Sequence, residues 1–293
     1  MVILSSDRIE VTLSALRGGK ITGLLHRDSG RQWLEDAAAV LDGPPDLSRD
    51  FDHGDMCGWD EMLPTVEACV VEGRVLADHG ELWRRPWEVL DQSGTTVTMR
   101  CDDRGGLVMT RRLVVEGSRL SVDYGVVNEG EVDRSLLWAA HPLFRHRAGT
   151  RIAVTGDVVE LADDGLRVLG PWPGALSSPD ELGVGECAKF FVRVDSPVAS
   201  LIDGEGTWLT MTWDAEAAPY LGVWLDQRAY ARHAVVALEP TNVAHDSLEV
   251  ALRAGAAPDA WRLSPGQERR WSLSFELGAS GTRPTRTLAR QES

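Results

Sequence analysis

The sequence predicts an all-β protein, a large antiparallel β-sandwich with few short helices. Apolar and polar residues alternate in short runs along almost the whole chain, as is typical of strands with one buried and one solvated face. Clusters of Gly, Pro, Asn and Ser separate the runs and indicate turns. No long amphipathic helix is indicated, so sheets must form the core. The alternating runs are residues 9–15, 66–70, 97–101, 120–126, 152–154, 190–194, 209–213, 248–252 and 271–277.

The chain has 293 residues, a length that would allow about two domains. An all-β sandwich often reaches this size as one domain, and no change in composition marks a linker. We therefore expect a single domain over residues 1–277 and a flexible C-terminal tail over residues 278–293. The polar stretches 43–57 and 173–185 contain several Gly and Pro and are interpreted as long loops.

The net charge of −15 disfavours nucleic acid and anionic membranes as partners, because both bind basic protein surfaces. A neutral small molecule is compatible with this charge. The N-terminus lacks the basic flank and long apolar run of a signal peptide, and no segment approaches the ~20 apolar residues of a membrane helix. We predict a cytoplasmic protein whose four cysteines are reduced rather than bridged.

One histidine lies at the end of an apolar stretch. Residues 136–144 have the sequence Leu-Leu-Trp-Ala-Ala-His-Pro-Leu-Phe, which predicts a buried strand. Pro142 cannot continue a central ladder, so the strand is predicted to end at His141, where the sheet opens to a loop. Two interpretations stay open: a functional histidine, or a core histidine hydrogen-bonded to a carbonyl group.

A carboxylate occupies a similar position further along the chain. Glu239 follows the apolar run 234–238 and precedes Pro240. A carboxylate at the end of an apolar strand is costly unless it is paired or functional. It is therefore either a salt-bridged strand end or a base whose pKa is set by a partly apolar pocket.

Two polar stretches lie between the predicted strands. Residues 78–84 contain His79, Gly80 and Glu81, and Gly80 would let the backbone turn or approach a ligand closely. Residues 58–64 place Trp59 and Asp60 in a loop, with an aromatic ring beside carboxylates. Each stretch could also be an ordinary surface loop.

A metal site is the rival interpretation of the histidines. His53 and Cys57 are loosely spaced, and the chain has no H-x-H or H-x-x-x-H pair. The sequence also lacks a phosphate-binding glycine loop, a G-x-S-x-G elbow and a C-x-x-C pair. We therefore predict no metal in the site.

The ordered set of these motifs resembles the aldose 1-epimerase (galactose mutarotase) family. The matching segments are His79-Gly80, residues 138–144 and residues 237–240, with flanking support from residues 58–64 and 263–268. The resemblance implies a galactose mutarotase-like supersandwich with its site in a cleft on one sheet. It also implies an isomerase that interconverts the α and β anomers of a free aldose, with a small-molecule carbohydrate as ligand.

By this resemblance, Glu239 is the catalytic base, His141 the catalytic acid, and His79 binds near the ring oxygen or O1. No cofactor is expected, because the reaction involves no redox change and no group transfer. The family's Asn-Arg pair and Gly-Tyr-Asp segment are missing here. Asp226 is expected to bind sugar hydroxyls in their place and Trp224 to line the cleft. The other predicted substrate-binding residues are Trp59, Asp60, Arg84 and Glu81.

Three alternatives accompany this prediction. Arg84 and Arg85 would suit an anionic sugar, so a hexose-6-phosphate 1-epimerase is one of them. A non-catalytic carbohydrate-binding protein on the same fold is another, because fold does not settle function. A domain of a lyase or hydrolase is the third. The protein is expected to be a monomer or a homodimer.

Overall fold

The computed structural model describes residues 1–36, 51, 56–162, 165–174, 176–253 and 260–279. Most of the predicted loop at 43–57, His53 and nearly all of the predicted C-terminal tail lie outside the described residues. Within the described part of the chain, no helix is long and apolar enough to cross a membrane.

The described residues form 23 strands, one α-helix and two short 3₁₀ segments. The helix α1 is Leu248–Arg253, and the 3₁₀ segments are Leu82–Arg84 and Pro179–Glu181. The strands are β1 Val2–Ser5, β2 Ile9–Ser14, β3 Lys20–His26, β4 Arg31–Gln32, β5 Trp59–Met62, β6 Cys69–Val71, β7 Arg74–Leu76, β8 Glu88–Gln92, β9 Thr96–Asp102, β10 Leu107–Glu116, β11 Arg119–Asn128, β12 Arg134–Leu136, β13 Ala139–Arg145, β14 Arg151–Ala153, β15 Gly156–Ala162, β16 Gly165–Pro171, β17 Cys187–Val194, β18 Val198–Ile202, β19 Trp208–Trp213, β20 Tyr220–Asp226, β21 Val235–Thr241, β22 Trp261–Leu263 and β23 Glu268–Gly278.

Two large antiparallel sheets form the sandwich, which confirms the predicted fold class. An eleven-stranded sheet has the order β1-β2-β3-β5-β13-β21-β20-β17-β15-β16, with β4 added beside β3. An eight-stranded sheet has the order β14-β18-β19-β23-β11-β10-β9-β8. Two short ribbons, β6–β7 and β12–β22, complete the described strands. The inner faces of both sheets contribute to one apolar core, as expected for sheets packed face to face.

The central strands of the eleven-stranded sheet are buried on both faces. Strands β13, β20 and β21 have no fully exposed residue apart from Arg145. Leu221, Val223 and Leu238 face the core between the sheets. Their neighbours in sequence point to the outer face and are also buried. This double burial explains why the sequence of these strands is almost continuously apolar.

A buried polar cluster joins the two sheets. The carboxylate of Glu61 on β5 accepts hydrogen bonds from Arg111 Nη1 (3.0 Å), Tyr124 Oη (2.8 Å) and Trp138 Nε1 (3.0 Å). Arg111 and Tyr124 belong to the eight-stranded sheet. Burial raises the pKa of Glu61, while Arg111 and the hydrogen bonds oppose that rise.

The predicted strand at residues 248–252 is wrong, because this segment forms the helix α1. Leu248 and Ala251, three residues apart, are both buried and pack on a small cluster beside the sandwich. Ser247 Oγ accepts the backbone N–H of Val250, and Glu249 pairs with Arg253 one turn later. Three alternating apolar residues fit a short helix as well as a strand. The run at 66–70 forms strand only from Cys69 onward.

Candidate active site

His141 and Glu239 lie opposite each other in the middle of the eleven-stranded sheet. Strands β13 and β21 pair at Ala139–Thr241 and again at Leu143–Ala237. Continuing this register places His141 directly across from Glu239, so both side chains point to the same outer face. The distance from His141 Nε2 to Glu239 Oε1 is 3.6 Å. Strand pairing therefore brings together two residues that are far apart in the sequence.

The prediction that His141 ends a strand is wrong, since it lies inside β13. Pro142 stands opposite Leu238, and Pro240 stands opposite Ala140, in the same register. Proline has no N–H group, so each of these two pairs lacks one donor. The other neighbours, β5 and β20, still pair with these strands. The two prolines thus weaken the ladder on either side of the His141–Glu239 pair without ending the sheet.

His79 reaches the same site from a loop. Its backbone and that of Gly80 are both left-handed, with φ of 57° and 69°. A Cβ atom on residue 80 would lie 1.9 Å from the carbonyl oxygen of Leu63, so only glycine allows this close approach. The His79 ring stacks on Phe51 at 4.1 Å and lies 5.5 Å from the His141 ring, centroid to centroid. Its Nδ1 is 2.8 Å from Asp78 Oδ2.

A pocket of about 610 Å³ lies over this part of the sheet. Trp224 and Tyr230 form an aromatic wall with ring centroids 6.1 Å apart. The pocket is lined by Met56, Val66, Ala68, Asp78, His79, His141, Cys187, Ala188, Lys189, Trp224, Tyr230, Glu239 and Asp246. Its combination of aromatic rings, imidazoles and carboxylates suits a small polar molecule with both C–H faces and hydroxyl groups.

Lys189 and Asp246 belong to the site and were not among the predicted residues. Lys189 Nζ is 2.8 Å from Glu239 Oε2 and 2.7 Å from Asp246 Oδ1. The signal in the sequence was the scarcity of lysine: Lys20 and Lys189 are the only two in the chain. Lys189 also interrupts the apolar character of β17.

The pKa values of His141 and Glu239 are shifted in opposite directions. Burial lowers the pKa of His141 well below its ordinary value of 6.5, and His79, Lys189 and Lys20 lower it further. Burial raises the pKa of Glu239 above 4.5; Lys189 opposes this rise and Asp246 adds to it. Burial alone would lower the pKa of Lys189, but Asp246 and Glu239 raise it above its ordinary value. Burial thus favours the neutral forms of both His141 and Glu239, and the Lys189 ammonium group opposes this effect at Glu239.

Of the nine predicted site residues, Glu239, His141, His79 and Trp224 line the pocket. Asp226 is fully buried at the end of β20, where it accepts the backbone N–H groups of Ala229 (2.8 Å) and Ala231 (2.9 Å). It thereby holds the turn that carries Tyr230 to the pocket.

The other four predicted residues make contacts outside the pocket lining. Trp59 is fully buried and packs edge-on against Phe275 in the core. Asp60 pairs with His141 in the strand register and forms an ion pair of 2.5 Å with buried Lys20. Glu81 lies 4.0 Å from Arg84 and lines a separate cavity of about 330 Å³, and the Arg84 guanidinium lies over the Trp83 ring. For these four and Asp226, direct contact with a ligand stays a prediction.

In the described residues, no group of three or more His, Cys, Asp or Glu side chains is arranged to hold a metal ion. His53, from the rival interpretation, lies outside this part of the chain. The site so described is a histidine–glutamate pair in a pocket on the outer face of one sheet of a large β-sandwich.

Comparison with known proteins identifies this fold. No protein-family model and no curated protein matches the chain. Among solved structures, the Slr1438 protein from Synechocystis sp. PCC 6803 matches with a TM-score of 0.74 at 19% identity, covering 95% of this chain and 96% of the other. A galactose mutarotase-like protein from Lactobacillus casei ATCC 334 matches with a TM-score of 0.70 at 14% identity, covering 95% of this chain and 100% of the other. A galactose mutarotase related enzyme from Lactobacillus acidophilus matches with a TM-score of 0.68 at 14% identity, covering 95% of this chain and 97% of the other.

The chain thus has the fold of the galactose mutarotase-like proteins, along nearly its whole length, as the resemblance implied. At these sequence identities the comparison establishes the fold.

Proposed function

We propose that the protein is a mutarotase of the aldose 1-epimerase kind, which interconverts the α and β anomers of a free aldose. The observation that carries this proposal is the His141–Glu239 pair, with Nε2 and Oε1 3.6 Å apart on the wall of the pocket. The two oxygens that exchange protons during ring opening, O1 and O5, are both bonded to C1. An acid and a base that act on them together must therefore lie close to each other.

The reaction requires one proton off O1 and one proton onto O5. Glu239 takes the proton of the O1 hydroxyl, a C1=O1 double bond forms, and the C1–O5 bond breaks. The electron pair of that bond goes to O5, which takes a proton from protonated His141. After rotation about C1–C2, O5 attacks the other face of C1. Its proton then returns to His141 and O1 recovers a proton from Glu239, which restores both groups.

The shifted pKa values fit these roles. A histidine with a depressed pKa is protonated in a smaller fraction of molecules, but its protonated form is a stronger acid toward the weakly basic ring oxygen. Glu239 has a raised pKa, which makes it a stronger base toward the O1 hydroxyl, and Lys189 favours its ionised form. In this proposal His79 binds near O1 or O5, and Trp224 offers an aromatic surface to the C–H face of the sugar.

The charges of the pocket favour an uncharged aldose over a sugar phosphate. Its described lining contains three carboxylates, Asp78, Glu239 and Asp246. Its one ammonium group, Lys189, is bound to two of them. Arg84 is not among the lining residues, and Arg85 lies 3.0 Å from Asp102. A phosphate dianion in this pocket would face the carboxylates without a dedicated cation, and like charges repel.

Anomer exchange measured by NMR on a panel of aldoses and their 6-phosphates tests the proposal. The variants are Glu239→Gln and His141→Gln, with Glu88→Gln on the exposed strand β8 as the matched control. We expect wild type and the control to accelerate exchange of at least one free aldose. The two site variants should each lose about 10²–10⁴-fold, the usual contribution of one general acid or base.

Two results would contradict the proposal. The first is that Glu239→Gln exchanges every sugar as fast as wild type does. The second is that a sugar binds to wild type, as shown by protection of its NMR signals or by calorimetry, without any faster exchange. That outcome would assign the protein to the carbohydrate-binding class instead.

A further inference from the structure

The use of lysine in this chain is unusual. Only two of its 30 Lys and Arg residues are lysines; Lys189 lines the candidate site, and Lys20 is buried next to it. Lys20 binds Asp60 beside His141, and Lys189 binds Glu239. The other 28 of these residues are arginines. An ammonium group is a compact point charge, whereas a guanidinium is a wide planar fork, so Lys and Arg are not interchangeable at a close contact with a carboxylate.

Lys189 reaches Glu239 across an intervening strand. Lys189 on β17 pairs with Trp224 on β20, and β20 lies between β17 and β21. The residue of β20 that pairs with Glu239 is Gly222. A Cβ atom there would lie 3.2 Å from Glu239 Oε2 and 3.5 Å from Lys189 Cε. The lack of a side chain at residue 222 therefore leaves the space in which the ammonium group meets the carboxylate.

The contact distinguishes the two oxygens of Glu239. Lys189 Nζ donates to Oε2 at 2.8 Å. Oε1 is buried and has no hydrogen-bond partner among the described residues, and it is the atom nearest His141 Nε2, at 3.6 Å. One oxygen is thus anchored and the other is left with its lone pairs for a proton.

Asp246 fixes the lysine from the other side. Its Oδ1 accepts a second hydrogen bond from Lys189 Nζ at 2.7 Å. Asp246 follows β21 in the sequence, and its backbone oxygen accepts the N–H groups of Val66 (3.0 Å) and Glu67 (2.8 Å). Asp246 is therefore held by the loop that also forms one wall of the pocket. Two of the three donors of the ammonium group are engaged by carboxylates.

We propose that Lys189 is a positioning residue which anchors Glu239 Oε2 so that Oε1 accepts the proton of the sugar O1 hydroxyl, and that Asp246 positions Lys189. The kinetic consequence rests on the mutarotase function proposed above. The contact itself and its effect on the carboxylate do not depend on that function.

The charged groups around Glu239 shift its pKa in opposite directions, which can be measured. Four titratable groups face Glu239. Lys189 lies on β17 and His141 on β13, while Asp246 lies in the loop after β21 and His79 in the loop before the first 3₁₀ segment. Lys189 and His79 favour the ionised carboxylate, whereas Asp246 disfavours it. Removing the charge of Lys189 should raise the pKa of Glu239. Removing the charge of Asp246 should lower it, because the ammonium group then serves a single carboxylate.

The experiment compares Lys189→Met, Lys189→Arg and Asp246→Asn with wild type. The titration of Glu239 is followed by ¹³C NMR of protein labelled at the glutamate carboxyl carbon, and Glu239→Gln identifies the signal by its loss. Anomer exchange is measured on the same samples across pH. We expect the Glu239 midpoint to move up in Lys189→Met and down in Asp246→Asn.

The kinetics should separate charge from position. Lys189→Met should lose roughly 100-fold in kcat/KM at its optimum, the scale of a 1 Å misplacement of a reacting group. Lys189→Arg keeps the charge, so its Glu239 midpoint should stay near that of wild type while its kcat/KM remains reduced. If Lys189→Met does not fold, as judged by circular dichroism, the partly exposed Asp246→Asn still supplies the downward shift.

The inference is overturned if the Glu239 midpoint is unchanged in Lys189→Met and Asp246→Asn, or if both variants move it in the same direction. If wild type accelerates the exchange of no sugar but the opposite shifts occur, the mutarotase function is wrong and the positioning contact stands. If wild type is active and the shifts are absent, the function stands and the role of Lys189 is wrong.

Discussion

The pH dependence of anomer exchange follows from the assigned roles of His141 and Glu239. The acid must be protonated, so activity should fall as pH rises through the pKa of His141. The base must be ionised, so activity should fall as pH drops through the pKa of Glu239. Since the pKa of His141 is lowered from 6.5 and that of Glu239 is raised from 4.5, the two limbs approach each other. We expect a narrow bell-shaped profile of kcat/KM with its maximum on the acidic side of neutrality.

The loss of activity at high pH can be estimated by taking the ordinary pKa of histidine as an upper limit for His141. With a pKa below 6.5, fewer than about one in thirty His141 side chains is protonated at pH 8. The value of kcat/KM at pH 8 should then be at least about 30-fold below the limiting value for fully protonated His141 and ionised Glu239. The true ratio is larger, because burial, His79, Lys189 and Lys20 all lower this pKa.

The assay is NMR exchange at constant ionic strength, with the uncatalysed rate subtracted at every pH because base also accelerates mutarotation. Glu88→Gln should reproduce the wild-type profile, since Glu88 is exposed on β8, an edge strand of the eight-stranded sheet, and does not line the pocket. A profile that is flat between pH 6 and pH 8 would refute the assignment of His141 as the acid.

Two further predictions concern stability and the space around the carboxylate. Glu61→Gln should lower the free energy of unfolding by roughly 3–5 kcal/mol, because it leaves buried Arg111 without its charged partner. Urea unfolding would measure this, and a loss within 0.5 kcal/mol, about that of a surface substitution, would contradict it. Gly222→Ala should reduce kcat, because its Cβ would lie 3.2 Å from Glu239 Oε2. An unchanged kcat with a raised KM would instead indicate that residue 222 acts only on substrate binding.

The strands were predictable because their signal is local. Seven of the nine alternating runs fall in strands of the sandwich, since each period-2 run records one buried and one exposed face. The run at 248–252 was misassigned because three alternating apolar residues also fit one and a half turns of a helix. The run at 66–70 failed for a related reason: Val66 is buried in the small apolar cluster beside the sandwich and lies outside strand β6.

Part of the site was also predictable. His141 and Glu239 stood out because each is a polar residue inside an apolar run and is followed by proline. The inference that proline ends the strand was wrong, since both strands keep a second neighbour that pairs with them. Lys189 gave only an indirect signal, its rarity, and nothing near it in the sequence indicated a carboxylate partner 50 residues away.

The sequence by itself determined the all-β class, the positions of most strands and the two residues of the proposed acid–base pair, because burial leaves a periodic record along each strand. Only the tertiary structure decided that His141 faces Glu239 and that Lys189 crosses β20 above Gly222. It also showed that Asp226 holds a loop turn rather than lining the pocket. These facts depend on the order and register of the strands in the sheet, and pairing between distant segments leaves no periodic signal in any one of them.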